Sequence, residues 1–233
     1  MLGAALIFLG AGFVQGLTGF GSALVAMPLL AFLMNVKTAV PLCMLNGLVI
    51  TGYLSWRLRS HMQSRRIVPL IIGSLPGVAT GALLLVRVDA DIIRRLIAAL
   101  LIFYSIYSLL IRPRALDPGP AWAYVAGFLT GAIGAALSAG GPPAIIYTSL
   151  TSWSKEEIKA TLTGFFVVNG VVTAVVHAVG GLTTAEVLGY FWVTAPAVFC
   201  GTVLGSLTTG FISRELYIRL ILGFLLLMGV MML

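Results

Sequence analysis

Charge is what this chain has least of. Of its 233 residues, 7 are Asp or Glu and 14 are Lys or Arg, so charged residues make up 9%, against about 25% in a soluble domain. All seven acids (Asp89, Asp91, Asp117, Glu156, Glu157, Glu186 and Glu215) fall in loops or at helix ends. Proton-driven pumps and cation carriers usually hold a carboxylate inside the membrane. Its absence argues against a cation substrate. No nucleophile–base pair and no set of metal-ligating side chains stands out, which argues against a membrane enzyme and against a metal or other cofactor. Cysteine is equally scarce. Cys43 and Cys200 sit within apolar runs and read as small packing residues rather than a disulfide, since free Cys is commonly buried. The start, Met1-Leu2-Gly3-Ala4, has no basic stretch, so a cleaved signal peptide is not expected. The net charge of +7 is scattered over loops, a pattern of membrane orientation and not of a nucleic-acid surface.

What the chain does have is apolar length. Sixty per cent of its residues are hydrophobic. Runs long enough to span a bilayer cover about 39–56, 67–86, 92–111, 157–179, 186–208 and 215–233. Two longer runs, about 2–34 and 120–150, are rich in glycine. The runs are continuously apolar, whereas barrel strands alternate. The expected fold is an all-α polytopic membrane protein.

The two glycine-rich runs repeat each other. Gly12, Phe13, Gly16, Gly19 and Pro28 find identical partners 115 residues later, at Gly127, Phe128, Gly131, Gly134 and Pro143. Asn46-Gly47 answers Asn169-Gly170. At an offset of 124, Gly77, Gly81, Arg95, Leu96 and Ile97 match Gly201, Gly205, Arg219, Leu220 and Ile221. The chain therefore reads as two membrane repeats, 1–116 and 117–233, forming one domain. Asp89 and Ser213 are candidate N-caps of the last helix in each. Asp91 with Arg95, and Glu215 with Arg219, are i,i+4 pairs in the favourable order.

Loop charge separates two topologies. If each long run is one span, the basic residues divide without bias. If each breaks at its glycines and returns as a hairpin, one side holds Arg57, Arg59, Arg65, Arg66, Arg112, Arg114, Lys155, Lys159, Arg214 and Arg219, and the other holds Lys37, Arg87, Arg94 and Arg95. The positive-inside rule favours the second arrangement, with inverted repeats, each a Gly-broken hairpin plus three crossing helices. Both termini then lie outside. Non-helical backbone at membrane depth must be buried in protein or line a wet cavity. Paired broken segments are also the best sequence pointer to a transporter's binding site.

The polar groups left inside the membrane are neutral. They are Gln15, Thr18, Ser22, Asn46, Thr130, Ser138 and Asn169, with backbone freed at Gly19, Gly21, Gly140 and Gly141. Half-helices starting near Ser22 and Gly141 would turn their N-termini to the centre, and such termini bind anions. Proline is favoured in a first turn, so Gly140-Gly141-Pro142-Pro143 fits a start. These eleven residues are the candidate substrate site. Gly77, Gly81, Gly201 and Gly205 have the small-xxx-small spacing of helix packing. His177, near the end of its run, has two readings: an interfacial packing residue, or a proton or substrate contact.

With Gly12-Phe13-x-x-Gly16-x-x-Gly19-x-Gly21, and Gly127-Phe128-x-x-Gly131-x-x-Gly134 leading to Gly140-Gly141-Pro142-Pro143, the chain resembles the TauE/SafE sulfite exporter family, also called the toluene sulfonate uptake permeases. The resemblance spans nearly the whole chain. It departs at Gly19-Phe20-Gly21-Ser22-Ala23 and at Ser138, where the family favours glycine. It implies transport of sulfite, sulfonates, sulfoacetate or similar organosulfur anions across a bacterial plasma membrane. The expectation is a multi-pass secondary transporter of the inner membrane, with an anion channel of the same fold as the alternative. Its expected partners are a small anionic substrate and the lipid bilayer, with a homodimer left open and no nucleic acid.

Overall fold

The computed structural model describes residues 1–110, 116–208 and 214–232, and no side chains between 209 and 220. Ten α-helices follow one another: α1 (Leu2–Thr18), α2 (Ser22–Leu33), α3 (Val36–Leu58), α4 (Ser64–Arg87), α5 (Ala90–Leu110), α6 (Ala121–Leu137), α7 (Gly141–Ser149), α8 (Lys155–Val179), α9 (Ala185–Leu207) and α10 (Arg214–Met232). No strand occurs among the described residues. Among the described residues, five helices, α3, α4, α5, α8 and α9, are long and apolar enough to cross a membrane.

Both long apolar runs are broken. The first stops at Gly19, whose left-handed φ of 91° closes the helix with an N–H to the Gln15 carbonyl at 2.7 Å. Gly21 is left-handed as well, with φ 97°. Together they reverse the chain between α1 and α2, as only glycine readily does at such φ values. The second run stops at Ser138, also left-handed at φ 55°, and restarts at Gly141. Each pair folds back on itself. A Cβ on Gly3, at the start of α1, would lie 3.5 Å from Leu33 Cδ1 at the end of α2. Before α6, the Leu116 and Asp117 N–H groups reach the Leu150 carbonyl after α7 at 2.8 and 3.0 Å. The runs are thus hairpins rather than single tilted spans.

Local signals start the other helices. Asn35 caps α3, accepting from Lys37 N–H at 2.8 Å. Ser154 and Glu157 form a reciprocal capping box on α8, which satisfies two of its first-turn donors. Thr184 caps α9. The pair Asp91–Arg95 forms no ion pair; among the described residues the ion pair is Arg66–Glu157 at 2.8 Å. Arg66 also lies over the Trp153 ring, 4.4 Å from its centroid, so this guanidinium pins the start of α4 to the start of α8. Ser213, Glu215 and Arg219 lie outside the described side chains.

The halves interlock. Helix α6 packs along α4, and α1 packs along α9, more extensively than any other pairs; α3 packs on α8, and α5 on α10. Glycine makes the first two contacts close. A Cβ at Gly73, Gly77 or Gly81 would overlap the backbone of Tyr124, Phe128 or Ala132, and one at Gly201 or Gly205 would overlap Leu9 or Phe13. The reverse holds for Gly127 and Gly131 against Leu70 and Ser74, and for Gly12 and Gly16 against Val198 and Thr202. This close approach is how membrane helices associate without a hydrophobic drive between them. The packing corrects the repeat register by one turn. Gly73 and Gly77 occupy the places of Gly201 and Gly205, so Gly73-Ser74-x-x-Gly77 answers Gly201-Thr202-x-x-Gly205 at an offset of 128 instead of 124. The offset of 124 holds the match of Arg95-Leu96-Ile97 with Arg219-Leu220-Ile221, but for the glycines of α4 and α9 the contacts decide otherwise.

Candidate functional site

Both breaks open on one cavity of about 90 Å³, well above the roughly 10–15 Å³ that holds one water on a comparable measure. Gln15, Gly21 and Ser22 reach it from the first hairpin; Thr130, Ser138, Gly140 and Gly141 reach it from the second, and Asn169 from α8. Eight of the eleven candidate residues therefore line one space. The rest of its wall includes Gly134 beside the second break, Cys43, Met44, Gly47, Leu48 and Thr51 of α3, and Phe166 and Gly170 of α8. Among the described residues, no Asp, Glu, Lys, Arg or His lines it.

The other three candidates lie elsewhere. Thr18 faces a second, more apolar cavity with Tyr104, Leu222 and Leu225, and its hydroxyl donates to its own helix at Val14 O, 2.8 Å. Gly19 meets the aliphatic stem of Lys159. Asn46 is fully buried, and its amide donates to Leu42 O at 3.0 Å and to Thr194 Oγ1 at 2.9 Å, tying α3 to α9. His177 stands outside the cavity lining, its Nε2 2.9 Å from the Ala135 carbonyl, where it joins α8 to α6. Cys43, read as a packing residue, is buried but also forms cavity wall. The pairing of Asn46-Gly47 with Asn169-Gly170 was the signal for α3 and α8 as walls; both glycines face the cavity, but only the second asparagine does.

Glycines at the breaks serve different ends. Gly140 is required by close approach, because a Cβ would overlap the Thr130 carbonyl oxygen. Gly141 is less tightly placed; a Cβ would press only on the flexible end of Ile145, Cδ1 at 3.3 Å, and the start of α7 lies bare to the cavity. On the opposite side, Gln15 Oε1 accepts from the Ser22 N–H at 3.3 Å and from the Ser22 hydroxyl. Among the described residues, two buried polar atoms on the wall have no partner: Thr130 Oγ1 and Asn169 Oδ1, in residues 1% and 5% exposed. Buried polar groups are rarely left so.

Long apolar helices and two broken hairpins around a shared cavity define a multi-pass helical membrane protein. Residues 4–232 match the family model of the sulfite exporter TauE/SafE, and the chain belongs to that family. No curated protein and no solved structure matched the chain significantly. Membership in this family of membrane exporters makes transport the reading in preference to catalysis.

Proposed function

We propose that the protein is a secondary transporter of the bacterial inner membrane that moves a small sulfur-containing anion, such as sulfite, a sulfonate or sulfoacetate. The observation that carries this reading is the cavity: two helix breaks face it, and among the described residues no charged side chain lines it. A cavity without carboxylates does not suit a cation. Freed N–H groups at the start of α7, with the hydroxyls of Thr130 and Ser138 and the amide of Asn169, suit the oxygens of an anion. Affinity built from such modest terms lies in the micromolar-to-millimolar range, about −8 to −4 kcal/mol, as a carrier that must also release its load requires. A thermal-shift screen of the purified protein against sulfite, thiosulfate, sulfate, taurine and sulfoacetate tests it, since a ligand of the folded state raises apparent stability. At least one sulfur oxyanion should raise the melting temperature and drive counterflow in vesicles. Stabilisation by none of them rejects the reading; flux without saturation or counterflow makes the protein a channel instead.

The same reading includes two inverted repeats, 1–116 and 117–233. Each hairpin's ends lie together, so each half would cross three times and the second half would enter from the opposite side. Single cysteines at Ser60 and Glu186, both exposed, placed in a chain with Cys43 and Cys200 removed, provide the check. An impermeant maleimide on intact cells should label position 186 and not position 60. Equal labelling, or labelling of position 60 alone, defeats the inverted arrangement.

A further inference from the structure

We propose that the Gln15 side chain occupies the anion cradle of the first hairpin, so that the cavity takes a single anion, at the start of α7 on the second. The inference rests on the anion-transport reading above and assigns its stoichiometry and side.

The two turns are built alike and filled differently. Each first helix ends in a left-handed residue, Gly19 or Ser138. The N–H of that residue bonds to the carbonyl four back, Gln15 O or Gly134 O. The following helix opens three residues on, at Ser22 or Gly141. Counted back from the break, Gln15 and Gly134 therefore hold the same place, one turn before it, although the helix packing, at an offset of 115, pairs Gln15 with Thr130 and Gly19 with Gly134. In the first hairpin the amide oxygen of Gln15 bonds to the N–H and the hydroxyl of Ser22. An N–H only donates, so chemistry requires oxygen rather than nitrogen at that position. A neutral acceptor thus sits where an anion's oxygen would sit on a helix start. In the second hairpin that acceptor is missing, because Gly134 has no side chain. The space is present: a Cβ there would meet nothing nearer than Asn169 Nδ2 and Gly140 Cα, each at 3.8 Å.

The unpartnered atoms fall on the open side. Thr130 Oγ1 and Asn169 Oδ1 are buried, bond to nothing and line the same cavity. Neither Gln15 nor Ser22 carries such an atom. Pro142 and Pro143 bring no N–H to the first turn of α7, so an anion there needs further donors. The Thr130 hydroxyl is one. Half a rotation of the Asn169 amide, which exchanges oxygen for NH₂, supplies another.

Calorimetric titration of the detergent-purified protein with sulfite tests the assignment, with melting temperature and monodispersity reporting on folding. Wild type should take one sulfite. Gly134→Gln should fold and take none, its amide filling the second cradle as Gln15 fills the first. Gln15→Gly should take two, and the double variant Q15G/G134Q should return to one. Gln15→Glu keeps an oxygen on Ser22 and adds charge to the cavity, so it should fold and bind sulfite at least tenfold more weakly; it serves where Gln15→Gly fails to fold. Two sulfites on wild type, wild-type affinity in folded Gly134→Gln, a single site in folded Gln15→Gly, or unchanged affinity in Gln15→Glu would each overturn the inference while leaving the transport reading in place. No binding of sulfite to wild type overturns this inference; if thiosulfate, sulfate, taurine and sulfoacetate also fail in the thermal-shift screen, the transport reading falls with it.

Discussion

The two hairpins share a plan and part at their tips. On the first, Gly19 turns the chain, Gln15 reaches across to Ser22, and every cavity-facing polar side chain of the hairpin has a partner in the other. On the second, a serine turns the chain, the residue four before it is a glycine where the first hairpin has glutamine, and Thr130, which the packing register pairs with Gln15, is left unsatisfied. Packing behind the tips does not differ in this way. Gly12 and Gly16 lie on α9 as Gly127 and Gly131 lie on α4. The contrast teaches that the repeat has kept its joints and changed its surfaces. Residues that let backbones meet are held in common. Residues that face the cavity have diverged, as a site for one asymmetric ligand position allows.

The largest effects should come from the shared joints. Gly77→Leu and Gly205→Leu each place a side chain against a backbone carbonyl, Phe128 O and Phe13 O, that cannot retreat without parting two helices. Overpacking of this kind typically costs about 1–3 kcal/mol and occasionally more, and backbone contact belongs at the upper end. Both variants should yield little monodisperse protein on size-exclusion chromatography. Folding by one and not the other would break the equivalence between the halves. Gly141→Leu is the counter-case. Its neighbour is the flexible end of Ile145, so the protein should fold and elute as wild type while sulfur-anion uptake falls to background. Normal uptake by that variant would take the start of α7 out of the site.

An intermediate effect sharpens which hydroxyls matter. Ser138→Ala removes a cavity-lining hydroxyl. If the hydroxyl bonds to a charged ligand it contributes about 1.5–3 kcal/mol, so the dissociation constant should rise by about 10- to 150-fold. Thr18→Ala, on the first hairpin but outside the cavity, should leave that constant unchanged. Competition against uptake of a labelled anion measures both. Equal losses would mean that the hairpins contribute alike.

Much of this architecture was legible in the sequence, for reasons that also mark where legibility stops. The spans follow from hydrophobic length. The breaks followed from glycines in runs too long for one helix, and they fall at Gly19–Gly21 and Ser138–Gly140. The register of α4 against α9 did not follow, because identity of residues is blind to which backbone each glycine meets; Ser74 and Thr202, small polar residues beside the joints, mark the right alignment only after the contacts are known. The site was legible as a set of polar residues in an apolar chain, but their directions were not. Asn46 and Asn169 are alike in sequence, and one turns to Thr194 while the other faces the cavity.

The smallest effect separates the two turning residues. Gly19 has φ 91° and Ser138 has φ 55°. The left-handed region open to residues with a side chain spans about +50° to +70°, so the serine sits inside it and the glycine beyond it. A Cβ at position 19 would also press on the Lys159 stem, 2.7 Å from Cε, though that stem is flexible. Gly19→Ala should therefore lower stability by about 1–3 kcal/mol, the cost of holding a side chain in a sparsely populated backbone region. Ser138→Gly has two opposed terms. Removing a side chain from the left-handed region gains about 1–2 kcal/mol, while the freer unfolded glycine gives back about 0.4–1. The net gain should stay below about 1.6 kcal/mol. Thermal unfolding of both variants without ligand gives the comparison: a clear fall at position 19 and a small rise at position 138. A fall at both positions would mean that the Ser138 hydroxyl or Cβ holds the second turn together, and would make the two tips alike in their strain as well as in their plan.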